Sequence, residues 1–183
     1  MIYTVLLRGI NVGGKNVVKM ADLERLLINL GFLEVKTYIQ SGNAIFEADL
    51  DEATVTGKIK SGFFECFGFE SNALVRNIHE MQSVLEQLPF TDSEIVQAEA
   101  VNPETEHLYV YFLDESPEQV LIDAIYGNYS GADKLRAGNQ ELYFLCQQSI
   151  RNSKLAASVS KKFPSATARN WKTVKKLNGM MTD

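Results

Sequence analysis

Arg8-Gly9-Ile10-Asn11-Val12-Gly13-Gly14-Lys15-Asn16-Val17-Val18-Lys19-Met20 is the stretch around which the chain is organised, because it joins an apolar run to an amphipathic one through a glycine-rich basic loop. Upstream, Ile2 to Leu7 reads as a strand that is apolar on both alternating faces, hence covered on both sides. Downstream, Met20, Leu23, Leu26, Leu27 and Leu30 recur at helical spacing, Asp22 and Glu24 favour the helix start, and Gly31 supplies the stop. In the loop itself, Gly9, Gly13 and Gly14 permit positive φ and leave backbone N–H groups bare, while Lys15 adds a full positive charge. That is the chemistry of an anion cradle. The spacing of Gly9, Gly14 and Lys15 also follows the phosphate-loop pattern up to its last position, where Asn16 replaces the Ser or Thr that would hold magnesium.

Reading outward, Leu33 to Ile39 and Asn43 to Phe46 are expected to form a hairpin about Gln40-Ser41-Gly42-Asn43. Val55, Ile59, Phe63 and Phe67 mark a helix over Asp51 to Phe67 closed by Gly68, and Ala73 to Val75 makes a final strand. Strand, helix, strand, strand, helix, strand is the ferredoxin-like order. Asn77 with Glu80 predicts a capping box for a helix that Pro89 ends, and Phe90 to Thr105 reads as a polar linker. His107 to Leu113 is then a strand, Ser116-Pro117-Glu118-Gln119 opens a helix, Leu135 to Ala137 and Glu141 to Cys146 form a second hairpin, and Ser153 caps another helix. Trp171, Val174, Leu177 and Met181 mark a last amphipathic helix capped by Ser165 or Thr167. The expected fold is α+β: two ferredoxin-like βαββα halves related by structural duplication, residues 1–88 and 89–183, plus the C-terminal helix. The duplication is expected in architecture, since the residues of the halves do not visibly align.

The 183 residues are 45% hydrophobic, ample for a packed core. The net charge of −5 hides a strong polarity. Asn77 to Ala132 holds eleven Asp and Glu and no Lys or Arg, whereas Ile150 onward holds eight Lys and Arg against Asp183. Cys66 and Cys146 each sit in an apolar run and read as reduced core thiols. No run approaches the roughly 20 apolar residues that span a bilayer, and a cytoplasmic protein without a membrane partner is expected. His79 and His107 have no Cys, His or carboxylate at a ligand spacing, so no metal site is indicated. No catalytic residue, cofactor or oligomeric state can be named from these residues.

Leu7 to Asn16, Thr37 to Asn43, Glu141-Leu142-Tyr143, Ser153-Lys154-Leu155 and Thr167-Ala168-Arg169-Asn170-Trp171 together resemble the domain of unknown function 1697 family of bacterial proteins. The resemblance runs from end to end, implies a two-part α+β fold with related halves, and brings no activity with it. The leading expectation from the residues is a small anionic ligand, phosphate- or carboxylate-bearing, held by Gly9, Gly13, Gly14 and Lys15. Arg8 and Asn11 would assist, with Gln40, Ser41 and Asn43 approaching from the neighbouring turn. The alternative is nucleic-acid binding through a basic surface of Lys154, Arg169, Trp171, Lys172, Lys175 and Lys176. A nucleotide hydrolase or phosphotransferase ranks last. It draws on the apolar run Tyr109 to Leu113 ending in Asp114, but it requires a parallel sheet and a helix starting at Lys15.

Overall fold

A computed structural model describes residues 1–127 and 129–182. Among the described residues the order is β1 (Ile2–Leu7), α1 (Met20–Asn29), β2 (Leu33–Tyr38), β3 (Asn43–Glu47), α2 (Glu52–Phe67), β4 (Ala73–Asn77), α3 (Ile78–Glu86) and α4 (Asp92–Val101). It continues with β5 (Leu108–Phe112), α5 (Gln119–Tyr126), β6 (Lys134–Ala137), β7 (Glu141–Leu145), α6 (Lys154–Lys162), β8 (Thr167–Asn170) and α7 (Trp171–Thr182). The architecture is mixed α+β with two four-stranded sheets, ordered β2-β3-β1-β4 and β6-β7-β5-β8, and every pairing is antiparallel. The chain divides into two compact units, one of Met1–Ser83 with the residues from Lys176 on, the other of Val84–Lys175. The division lies a few residues before the expected one at 88/89, and the first unit is completed by the chain's far end.

In the first unit β1 is a central strand, and Tyr3, Val5 and Leu7 meet Leu23, Leu26 and Leu27 of α1 and Val55, Ile59 and Phe63 of α2 in one apolar cluster. The two helices cover one face of the sheet because their apolar residues recur three and four apart. Phe46 and Phe63 are almost wholly buried, each worth about 1.5–3 kcal/mol of transfer free energy. Asp51 caps α2 by accepting from the Thr54 amide, and Gly68 ends it in the left-handed conformation. Asn77 Oδ1 accepts from the Glu80 amide at 3.0 Å while the Asn77 amide donates to Glu80 Oε2 at 2.8 Å, the reciprocal box its spacing predicts.

The second unit repeats the register of the first. Tyr3 stands between Phe46 and Asn77, and Tyr109 stands between Phe144 and Asn170. Arg76 and Arg169 then occupy matching places, opposite Thr4 and Val110. Residues of the two halves that do not visibly align in sequence thus hold matching register positions along one row. Thr167–Asn170, expected as the approach and cap of the last helix, is instead the strand β8 on β5, and Asn170 accepts from the Thr173 amide at 2.8 Å as the cap of α7.

Two further expectations change. The supposed linker Phe90 to Thr105 contains α4, fastened by a Thr91/Glu94 capping box, and the helix expected at Ser116 begins only at Gln119. Cys66 is exposed rather than in the core, Cys146 is buried, and both are free thiols. Burial pushes the Cys146 thiol up to about 12.

Candidate functional site

The glycine-rich loop leaves β1 between two neighbouring segments. The Leu7 amide donates to Gly42 O at 2.8 Å and the Arg8 amide to Asn72 O at 2.9 Å, while Ser71 Oγ donates to Arg8 O at 2.8 Å. Beyond this clamp five residues adopt positive φ: Gly9 at 74°, Asn11 at 54°, Gly13 at 58°, Gly14 at 75° and Asn16 at 50°. A non-glycine residue gives up about 1–2 kcal/mol there, and asparagine is among the few that tolerate it well. The Lys15 amide donates to Val12 O and the Asn11 amide to Asn16 O, each at 3.1 Å. Val12 to Lys15 is thus a two-residue hairpin with positive φ at both central glycines, a type I′ turn. The loop ends at α1, which starts at Met20, so Lys15 does not open a helix as a phosphate loop requires.

Two asparagine side chains hold the shape. Asn11 Oδ1 accepts from the Val18 amide at 2.8 Å, and its Nδ2 donates to Val18 O at 2.9 Å and to Gln40 O at 2.8 Å. Asn16 Nδ2 donates to Gly9 O at 3.0 Å. Ile10 and Val18 anchor the two ends in the apolar cluster, whereas Val12 to Val17 is exposed throughout, Val12 to 66% and Val17 to 68%. The tip therefore presents Lys15 and the backbone of Gly13 and Gly14 to solvent. At the base, Arg8 Nη1 is buried with no hydrogen-bond partner among the described residues.

The turn Gln40-Ser41-Gly42-Asn43 does approach the loop, as the adjacency of β3 and β1 requires. A Cβ at Gly42 would lie 2.6 Å from Ile10 Cδ1, and the Gln40 carbonyl takes the Asn11 amide. Asn43 is buried, and its Nδ2 donates to Tyr38 O at 3.0 Å and Ser41 Oγ at 2.9 Å. Asn11 and Asn43, both named from sequence as ligand contacts, thus hold backbone in place. Asn16, whose amide works like that of Asn11, was not named, since its only sequence signal is the missing Ser or Thr.

The residues of the expected basic surface have different fates. Arg169 lies inside β8, buried, its guanidinium pKa lowered to about 10 by that burial. Lys172 Nζ pairs with Glu106 Oε1 at 2.6 Å, and this hydrogen bond and charge raise its pKa. Trp171 is half-buried, while Lys154, Lys175 and Lys176 are exposed. Among the described residues no group of three or more His, Cys, Asp or Glu could hold a metal ion. His107 is a buried tie, with ring nitrogens 2.7 Å from Cys146 O and 2.8 Å from Asn102 O. No helix is long and apolar enough to cross a membrane among the described residues.

A solved structure similar to this chain is that of a conserved bacterial protein from Streptococcus pneumoniae, with a TM-score of 0.73 and 26% identity over 100% of this chain and 98% of that one. No curated protein matches the sequence. The family model described as Protein of unknown function (DUF1697) matches residues 1–143, three quarters of a chain whose central strand, glycine-rich loop and adjoining turn all lie inside the match, and the chain belongs to that family.

Proposed function

We propose that this protein binds a small phosphate- or carboxylate-bearing ligand at the glycine-rich loop, without chemistry on it. The observation that carries the reading is the five left-handed residues between Gly9 and Asn16 in a segment whose tip is exposed. Backbone held in a sparsely populated region, by side chains committed to holding it, points to use rather than to packing. Lys15 and the Gly13 and Gly14 amides at the tip, with Arg8 at the base, give that backbone a positive character. Phosphoryl transfer is less well supported, because the adjoining sheet is antiparallel and the helix starts at Met20. Nucleic-acid binding is also less well supported, since Arg169 is buried and Lys172 already has Glu106.

Two attributes belong to the same reading. The halves are ferredoxin-like units related by duplication, which equal strand order and the shared row of Asn, Tyr and Phe support. The protein works in the cytoplasm, in keeping with two free thiols.

A thermal-shift series with inorganic phosphate, nucleotides and dicarboxylates tests the reading. A ligand at 100 times its dissociation constant adds about 2.7 kcal/mol of stability. The expected result is stabilisation of the wild type that Lys15→Ala loses. An equal shift in both proteins, or none in either, refutes the loop as the site.

A further inference from the structure

We infer that the second unit carries a separate site for a phosphate ester with an apolar or aromatic body, in the cleft along α6. The cleft measures about 870 Å³ and is bounded by α6, by the end of α5 and by the segment that follows it. That volume lies in the range of about 300–1,000 Å³ typical of small-molecule sites. Lys154, Ser158 and Lys161 all line it, and their spacing of four and three residues puts them on one face of the helix. Lys162 lines it as well.

Among the described residues no carboxylate forms an ion pair with this wall. Lys154, Lys161 and Lys162 are exposed, and none makes an ion pair among the described residues, although the chain as a whole is acidic. Asp133 is the carboxylate of the lining, and it is already engaged. Its Oδ1 accepts from the Gln147 amide at 2.9 Å and its Oδ2 from Ser153 Oγ at 2.5 Å. Ser153 in turn caps α6 by accepting from the Ala156 amide at 3.0 Å. The carboxylate therefore fixes the cleft's geometry, and three ammonium groups set against one carboxylate leave the concavity with a net positive charge that favours an anion from outside. Lys154 and Lys161 are about 10 Å apart along the helix, so a phosphate bound near one leaves room for further polar groups at the other.

Another part of the lining is of different chemistry. Ile125 and Tyr129 both line the cleft. The Tyr129 hydroxyl accepts from the Asp133 amide at 3.0 Å and its ring meets Tyr126 edge to face at 6.5 Å, which fixes the ring before any ligand arrives. Cationic side chains and a fixed aromatic ring lining one cleft are what a nucleoside monophosphate or a similar phosphorylated aromatic compound needs. This site does not depend on the glycine-rich loop, which lies in the other unit.

Isothermal titration of the full chain with AMP, ribose 5-phosphate and inorganic phosphate at low salt tests the inference. AMP is expected to bind most tightly, because only it has an aromatic base to set against Tyr129. The double variant Lys154→Ala/Lys161→Ala should weaken AMP about tenfold or more, the loss of at least one charge-assisted hydrogen bond. Lys161→Glu should do the same, with circular dichroism verifying that α6 is retained. The same titrations in the Lys15→Ala background, where the loop has lost its cation, should show the same loss on changing Lys154 and Lys161, which separates this site from the loop. The inference is overturned if AMP fails to bind the Lys15→Ala protein at millimolar concentration, or if adding Lys154→Ala/Lys161→Ala to that protein leaves AMP binding unchanged. It is overturned equally if a single-stranded oligonucleotide binds and AMP does not, which would make the lysines a polyanion surface.

Discussion

Replacing Asn11 by Ala tests the physical account of the loop most directly. The substitution removes three hydrogen bonds, two to the backbone of Val18 and one to Gln40 O. Each is worth about 0.5–1.5 kcal/mol net, and in a half-exposed setting the lower part of that range applies, for a sum of about 2 kcal/mol. Alanine at a φ of 54° adds a left-handed cost of up to about 1 kcal/mol relative to asparagine. The expected loss is about 2–3 kcal/mol, a fall in Tm of roughly 5–10 °C for a chain of this size. Asn11→Gly keeps the conformation without strain, so it should lose only the hydrogen-bond part. Asn11→Asp keeps the acceptor for the Val18 amide but sets a carboxylate against two carbonyls, and should be no milder than Ala. Urea denaturation gives the energies. Amide hydrogen exchange gives the location, because the Val18 amide should lose its protection first. Asn11→Ala within about 0.5 kcal/mol of wild type, the range of an ordinary surface change, would refute the idea that this side chain holds the loop.

Gly42→Ala should destabilise by about 2–4 kcal/mol, combining left-handed strain with overpacking. Its new Cβ would meet Ile10 Cδ1 at 2.6 Å and Leu7 Cβ at 2.9 Å at a φ of +79°, and a neutral urea midpoint would contradict the close approach. Native protein should react with a thiol reagent at Cys66 alone, with Cys146 joining only on unfolding; fast reaction of both would mean that Cys146 is not buried. Glu94, bonded to Arg136, Lys134 and the Thr91 amide, has its carboxyl held below the usual carboxylate range, Arg136 contributing most. A depressed folded-state pKa gives stability that is present above the unfolded value of about 4.3 and is lost as pH falls through the folded one. Denaturant midpoints measured from neutral pH to about 3 should therefore fall less steeply in Glu94→Gln than in wild type, and equal slopes would show that the cluster contributes nothing.

What the sequence made legible followed the strength of its local signals. β1 and α1 were readable because a doubly apolar hexapeptide and leucines three and four apart admit few other structures, and Asn77 with Glu80 forms the box that its spacing predicts. β8 was not readable, because Thr167-Ala168-Arg169-Asn170 has little strand preference and becomes extended by pairing with β5, a contact between residues far apart in sequence. α4 was missed for the opposite reason. Its capping box was visible at Thr91 and Glu94, but Ala98 is its one buried residue, so it lacks the apolar period that normally marks a helix. In the loop, glycine content forecast the positive φ at Gly9, Gly13 and Gly14, yet no pattern distinguishes an asparagine that meets a ligand from one that bonds its own backbone. Asn11 and Asn43 were read as the first kind and are built as the second. The cleft along α6 was beyond reach because its lining is brought together by tertiary packing, and of that lining only Lys154 had been named as a binding residue.

The common register of the two sheets makes the chain its own reference system. Tyr3 faces Phe46 in one sheet and Tyr109 faces Phe144 in the other, so the same side-chain pair occupies the same rung twice in one molecule. One rung further along, Thr4 faces Ile45 where Val110 faces Tyr143, so chemistry changes while topology does not. Hydrogen exchange recorded rung by rung would compare these places at identical temperature, solvent and protein concentration, free of the uncertainties that attend measurements on two proteins. Where the rungs are alike, any difference in opening free energy reports the surroundings; where they differ, the excess over that baseline reports the side chains.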